Sequence, residues 1–190
     1  SIAKSKLLVI IANVRGAQEG CTIDNIDYLG FPLSISETFQ QQNSNKSIVQ
    51  SLEELMVIQE LCTKSNKELV VYLSMGFGNP YSDPYSADIV AKFADILISL
   101  GVNIISIADT VGMATPGEIA DVYKIVSSLS RTVEWGLHLH ASPIESGKKV
   151  EAALRAGCRR IDGAILGFGG CPFAKDELVG NINTRNIISV

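Results

Sequence analysis

Long apolar runs, paired cysteines, a basic excess and a nucleotide-type glycine fingerprint are all missing from this sequence, and histidine occurs only twice. The longest apolar stretch, Leu7–Ala12, is far short of the roughly 20 residues needed to cross a bilayer, so no membrane partner is expected. Sixteen basic against twenty acidic residues give a formal charge of -4, and the basic residues are scattered apart from Lys148-Lys149 and Arg159-Arg160. Nucleic acid is therefore not expected as a partner. The cysteines, at 21, 62, 158 and 171, form no C-x-x-C pair and lack the dense spacing of a secreted disulfide scaffold, which points to a reducing compartment. No G-x-G-x-x-G follows the first strand-like run, which leaves a dinucleotide-binding open sheet without support. The chain begins Ser-Ile-Ala, without Met, and enters a strand-like run by residue 7. That start reads as a cut or processed piece, with no targeting segment to interpret.

What is present is an ordinary α/β composition, 46% apolar and 19% charged with 16 glycines over 190 residues, enough for one domain with a real core. Short β-rich runs at Leu7–Ala12, Tyr28–Ser34, Leu69–Met75, Ile104–Ala108, Trp135–His140 and Arg160–Ile165 alternate with stretches of helical period, the pattern of repeated βα units and a parallel sheet. Helix starts are marked at Asn45 or Ser47, at Ser86, and at Thr115, where Thr-Pro-Gly-Glu reads as a capping box with Pro116 at the first helical position. Gly101 and Gly157 read as helix stops. Polar residues gather at the ends of the apolar runs: Ser74, Asp109, His138, His140 and the segment 167–172. Catalytic groups in a (β/α)8 barrel lie at the C-terminal ends of strands, so the expected fold is that barrel, represented by roughly its last six βα units. Residues 1–190 then form a partial catalytic domain without the first two units.

His138 and His140 are two apart at a strand end, so their side chains share one face and can form half of a divalent-metal site, or serve as structural polar groups. Asp109, followed by Thr110, can bind metal, accept a substrate hydroxyl proton or cap a loop. Gly167-Phe168-Gly169-Gly170-Cys171-Pro172 delivers a thiol in a glycine-rich loop that can close over a ligand. The plain alternative is a turn with a buried cysteine. Asn181 is either a turn residue or a hard oxygen ligand suited to Mg2+ or Mn2+. The polar loops at 34–45 and 77–81 either touch substrate or turn the chain.

Together, Ala-Asp-Thr-Val-Gly at 108–112, His-Leu-His at 138–140, Gly-Phe-Gly-Gly-Cys-Pro-Phe at 167–173 and Gly-Asn at 180–181 resemble the 3-hydroxy-3-methylglutaryl-CoA lyases. The resemblance extends through Ser36-Glu37-Thr38-Phe39 and Gly78-Asn79-Pro80-Tyr81, over roughly residues 7 to 188. The Gly-Gly-Cys-Pro loop is its most specific element, because the related isopropylmalate and homocitrate synthases share the histidine pair and the late Gly-Asn but typically lack that cysteine. Departures are Ala141-Ser142 after the second histidine, Asn79 where the family often has cysteine, and a Cys171-to-Asn181 spacing about one residue longer.

The resemblance implies a lyase that splits a 3-hydroxy-3-methylglutaryl-CoA-like thioester into acetyl-CoA and acetoacetate by retro-Claisen cleavage, with a place in leucine degradation. It implies catalytic roles for Cys171, Asp109 and His138, and substrate contacts at Ser74, Thr110, Gly169 and Gly170. It also implies Mg2+ or Mn2+ on His138, His140, Asn181 and an aspartate upstream of Ser1, in a domain like that of the pyruvate carboxyltransferases. The implied partners are an acyl-CoA and, in the full-length form, a second copy in a homodimer. The implied location is the cytoplasm of a bacterium or the mitochondrial matrix of a eukaryote. The alternatives are a metal-dependent Claisen condensing synthase and a catalytically incomplete fragment.

Overall fold

The computed structural model describes residues 5–170 and 179–190. Six parallel strands run in sequence order: β1 (Leu8–Ile10), β2 (Tyr28–Ser34), β3 (Glu68–Ser74), β4 (Ile104–Asp109), β5 (Glu134–Ala141) and β6 (Ile161–Asp162). Between them come α1 (Val14–Cys21), α2 (Glu37–Ser44) and α3 (Ile48–Lys64), then α4 (Ala87–Ser99), α5 (Pro116–Leu129) and α6 (Ser146–Arg155). After β6 come a short 3-10 turn at Ile165–Gly167, a two-residue β7 (Gly180–Asn181) and α7 (Thr184–Ile188). Parallel strands joined in order by helices, curled into part of a barrel, are the expected (β/α)8 architecture.

Register explains how one sequence builds a dry outer layer and a polar lumen. Phe31, Val71, Ile105 and Trp135 are aligned across β2–β5, and Leu33, Leu73, Ile107 and Leu137 form a second row. All eight are buried, against a helix layer that contributes Leu55, Ile58, Val90, Leu97, Ile119, Val126 and Val150 to the same core. The alternate positions make another row, Pro32, Tyr72, Ser106 and Gly136, and one step up Ala108 pairs with His138 and His138 with Asp162. Because side chains alternate along a strand, burying the branched residues outward turns these small and polar ones into the barrel interior.

The helix starts follow the local chemistry. Ser47 and Thr115 each close a capping box, with Gln50 and Glu118, and Ser86 caps α4 through Ile89 N. Asn45 does not start α3. It ends α2 in the left-handed region, with φ 56. The first and last apolar runs give shorter strands than their composition suggests. Ala12 already leads into α1, and after Asp162 the chain turns at Gly163 before the 3-10 turn. No helix among the described residues is long and apolar enough to cross a membrane.

Candidate functional site

A cavity of about 930 Å³ opens at the C-terminal ends of the strands, lined by Ser74, Thr110, His138, His140, Gly170 and Asn181 together with Tyr72, Asp162 and other residues. Six positions singled out from sequence thus meet in one place, brought there by four strands and a glycine-rich turn.

The histidines share the inner face of β5, with Nε2 to Nε2 at 3.2 Å. Asp162, on the neighbouring strand, places Oδ2 3.4 Å from His138 Nδ1. The ring of Tyr72 stands edge-on to His138 with centroids 5.8 Å apart. Burial pushes the Tyr72 phenol up to about 12, so it stays protonated beside Asp162 and Arg160. Ser106 Oγ reaches Asp162 Oδ2 at 3.5 Å. The Asp162 carboxylate thus puts negative charge close to the His138 ring without hydrogen-bonding its Nδ1, and the Nε2 atoms of the pair face each other at the cavity.

His140 is 5% exposed. Burial, with His138 beside it, holds its imidazole down at about 4, so it is neutral at physiological pH. Asn181 is delivered by β7, which pairs antiparallel with β5 in the register His140 to Asn181. The Asn181 Nδ2 donates to Phe168 O at 3.0 Å. The Asn181 side chain lies close enough to the His140 ring to offset part of the downward effect of burial, and both residues line the cavity. Gly169 holds this strand by accepting the Asn181 backbone N–H at 3.0 Å. A Cβ on Gly180 would lie 2.7 Å from the Gly169 carbonyl oxygen, so only glycine allows that approach.

These donors suit a hard or borderline divalent ion. The Nδ1 atoms of both histidines are buried without a hydrogen-bond partner, and the two Nε2 atoms converge at 3.2 Å. Ligand nitrogens about 2.1 Å from a common ion at right angles stand roughly 3 Å apart, so the spacing fits a shared cation as well as a ring-to-ring hydrogen bond. Two imidazoles and an amide oxygen are a donor set for Mg2+, Mn2+ or a similar ion rather than a thiolate-rich zinc site. Among the described residues no cluster of three or more His, Cys, Asp and Glu forms a centre of its own.

Asp109 does not reach the cavity. It alternates with Ala108, so its side chain points outward, where Oδ2 meets Lys149 Nζ at 2.7 Å and Oδ1 accepts Ala114 N at 3.1 Å. Burial pushes its carboxyl up, against the pull of that ammonium. Thr110 does face inward, and its Oγ1 accepts Met75 N at 2.8 Å, fixing the end of β3. Ser74 lines the wall between them. Cys171 lies outside the described residues. Asp162 belongs to no recognisable spacing, and Lys149 stands out in the sequence only as half of the Lys148-Lys149 pair.

A parallel barrel mouth lined by paired imidazoles and an amide defines a (β/α)8 barrel with a candidate ion site. The chain matches the HMGL-like family model over residues 8–190 and belongs to that family. It is 31% identical over 94% of its length to hydroxymethylglutaryl-CoA lyase YngG of Bacillus subtilis, and spans 59% of that protein. It is 28% identical over 95% of its length to the mitochondrial enzyme of Mus musculus, spanning 55% of it. Among solved structures, an HMG-CoA lyase from Acinetobacter baumannii in complex with coenzyme A and 3-methylmalate superposes with TM-score 0.87 at 29% identity, over 99% of this chain and 62% of that one. The chain therefore spans little more than half the length of the curated relatives it matches.

Proposed function

We propose that the protein is a carbon–carbon lyase that cleaves 3-hydroxy-3-methylglutaryl-CoA or a close homologue to acetyl-CoA and a 3-keto acid, acetoacetate in the parent case. The observation that carries this reading is the convergence of His138, His140 and Asn181 at the mouth of the barrel, on a chain 31% identical to a lyase of that name.

His138, His140 and Asn181 would hold a divalent ion, which when bound acidifies the substrate hydroxyl and stabilises the negative charge that builds on oxygen as the bond breaks. His138, with Asp162 Oδ2 3.4 Å from its Nδ1, acts as an ion ligand whose neighbouring carboxylate favours positive charge at the site. Tyr72, protonated and edge-on to His138, keeps that ring from rotating. Ser74 and Thr110 on the adjoining strand ends offer hydroxyls to the acyl portion, and Gly169 and Gly170 let backbone approach it closely. Cys171, by its place in the Gly-Gly-Cys-Pro loop, is the proposed acid that protonates the enolate carbon, since an ordinary thiol gives up a proton near neutral pH. Asp109, committed to Lys149, acts by positioning and not by contact. The further metal ligand is proposed to be an upstream aspartate, and a homodimer is the proposed assembly.

Two substitutions in the full-length protein test the reading. His140→Ala should abolish Mn2+ binding in a titration and metal-dependent turnover with it. Cys171→Ser should keep Mn2+ binding and lose cleavage by the 10²–10⁴-fold typical of an acid/base group. Near-full cleavage by Cys171→Ser would remove the case for a lyase over a condensing synthase.

A further inference from the structure

One buried charge outside the cavity takes no part in that chemistry. Lys149, on α6, is among the largest fully buried side chains of the described residues. An isolated ammonium there would cost several kcal/mol, yet all three of its donors are met: Asp109 Oδ2 at 2.7 Å, His140 O at 2.9 Å and Gly112 O at 3.0 Å. A single nitrogen therefore joins α6, the end of β5 and the turn that follows β4.

Each of its acceptors leads to a group at the cavity. The His140 carbonyl belongs to the residue whose ring faces the lumen and whose backbone pairs with Asn181. Asp109 precedes Thr110, which holds Met75 at the end of β3. Asp109 also accepts Ala114 N beyond the turn. A buried ion pair seldom adds net stability over a well-packed apolar pair of similar volume, so what it contributes here is geometry.

We infer that Lys149 is a positioning residue for this site: its ammonium locks the His140 backbone to the Asp109–Gly112 turn, so that the His140 ring and the Thr110 hydroxyl keep a fixed separation across the cavity. The inference rests on the proposed role of His140 as an ion ligand. Loss of the lock frees the β5 end to shift, and Asn181 shifts with it through the β5–β7 ladder.

The test compares the full-length wild type with Lys149→Met and with the pair Asp109→Asn/Lys149→Met, which spares the fold an unpaired buried carboxylate. Mn2+ affinity is read by electron paramagnetic resonance, kcat and KM on 3-hydroxy-3-methylglutaryl-CoA, and folding by thermal melting. Outer partners of ligands typically change metal affinity 10–100-fold. A loss of that size is expected in every variant that folds, with kcat falling more than KM rises. If Mn2+ affinity and kcat stay within about twofold of wild type while only the melting temperature drops, Lys149 is structural and the inference is overturned. Failure of both variants to fold overturns it as well, by making the pair a folding determinant. Absence of Mn2+ binding in the wild type would overturn the proposed function, and this inference with it.

Discussion

His138 and Asp162 meet across two neighbouring strands, Nδ1 to Oδ2 at 3.4 Å, which puts a carboxylate charge next to the histidine pair. Asp162→Asn removes the carboxylate charge beside the His138 ring and keeps the side-chain shape. The expected outcome is a 10–100-fold weaker Mn2+ affinity with little change in unfolding midpoint, checked by metal titration beside a urea melt. At this scale legibility was uneven. The histidine pair was visible because a two-residue spacing on a strand fixes a common face. Asp162 was not, because its meaning depends on the register His138 to Asp162, which no local pattern encodes. Lys149 was read as half of a basic pair. Its neighbour Lys148 is exposed while Lys149 is buried, a difference set by the rotation of α6 against β4 and β5. The outward turn of Asp109 was in principle readable, since it follows Ala108 on an alternating strand.

Among elements, the long amphipathic helices with polar caps were the most legible, since capping is a local act: Thr115, Pro116 and Glu118 fix the start of α5 without help from the rest of the fold. Thr115→Ala should cost about 1 kcal/mol of unfolding free energy. Its cap lies outside the cavity, so Mn2+ affinity should remain that of the wild type. A matched denaturation curve and metal titration would show the two effects separate. β7 went unread for the opposite reason. Two residues carry no period, and the strand exists only because β5 offers an edge and Gly180 lets the Gly169 carbonyl approach. Gly180→Ala should therefore weaken Mn2+ affinity in a titration while leaving the helical circular dichroism intact.

For the whole molecule, six parallel strands in sequence order were foreseeable from the alternation of β-rich and helical segments, and the polar strand ends distinguished a barrel from an open sheet. Where the barrel closes was not foreseeable, because closure is a property of strand number and tilt together. Among the described residues β1 and β6 each pair in parallel on one side only, and Ile10, Ile165, Leu166 and Phe168 are exposed nearby or beyond them. Open edges with apolar residues favour association. Residues 1–190 expressed alone are expected to bind a hydrophobic dye and elute as heterogeneous large species in size-exclusion chromatography, and a polypeptide of the relatives' length to bind little dye and elute as one discrete species of dimer size. The return of β7 to β5 also has a kinetic side. Every parallel pairing joins strands adjacent in sequence, so the sheet can zip up one unit at a time. His140 and Asn181 meet only across the whole of α6, β6 and the glycine-rich turn, a late and long loop closure. On refolding, helix and sheet signals should therefore recover first, and the capacity to take up an ion should lag behind them as a separate, slower phase.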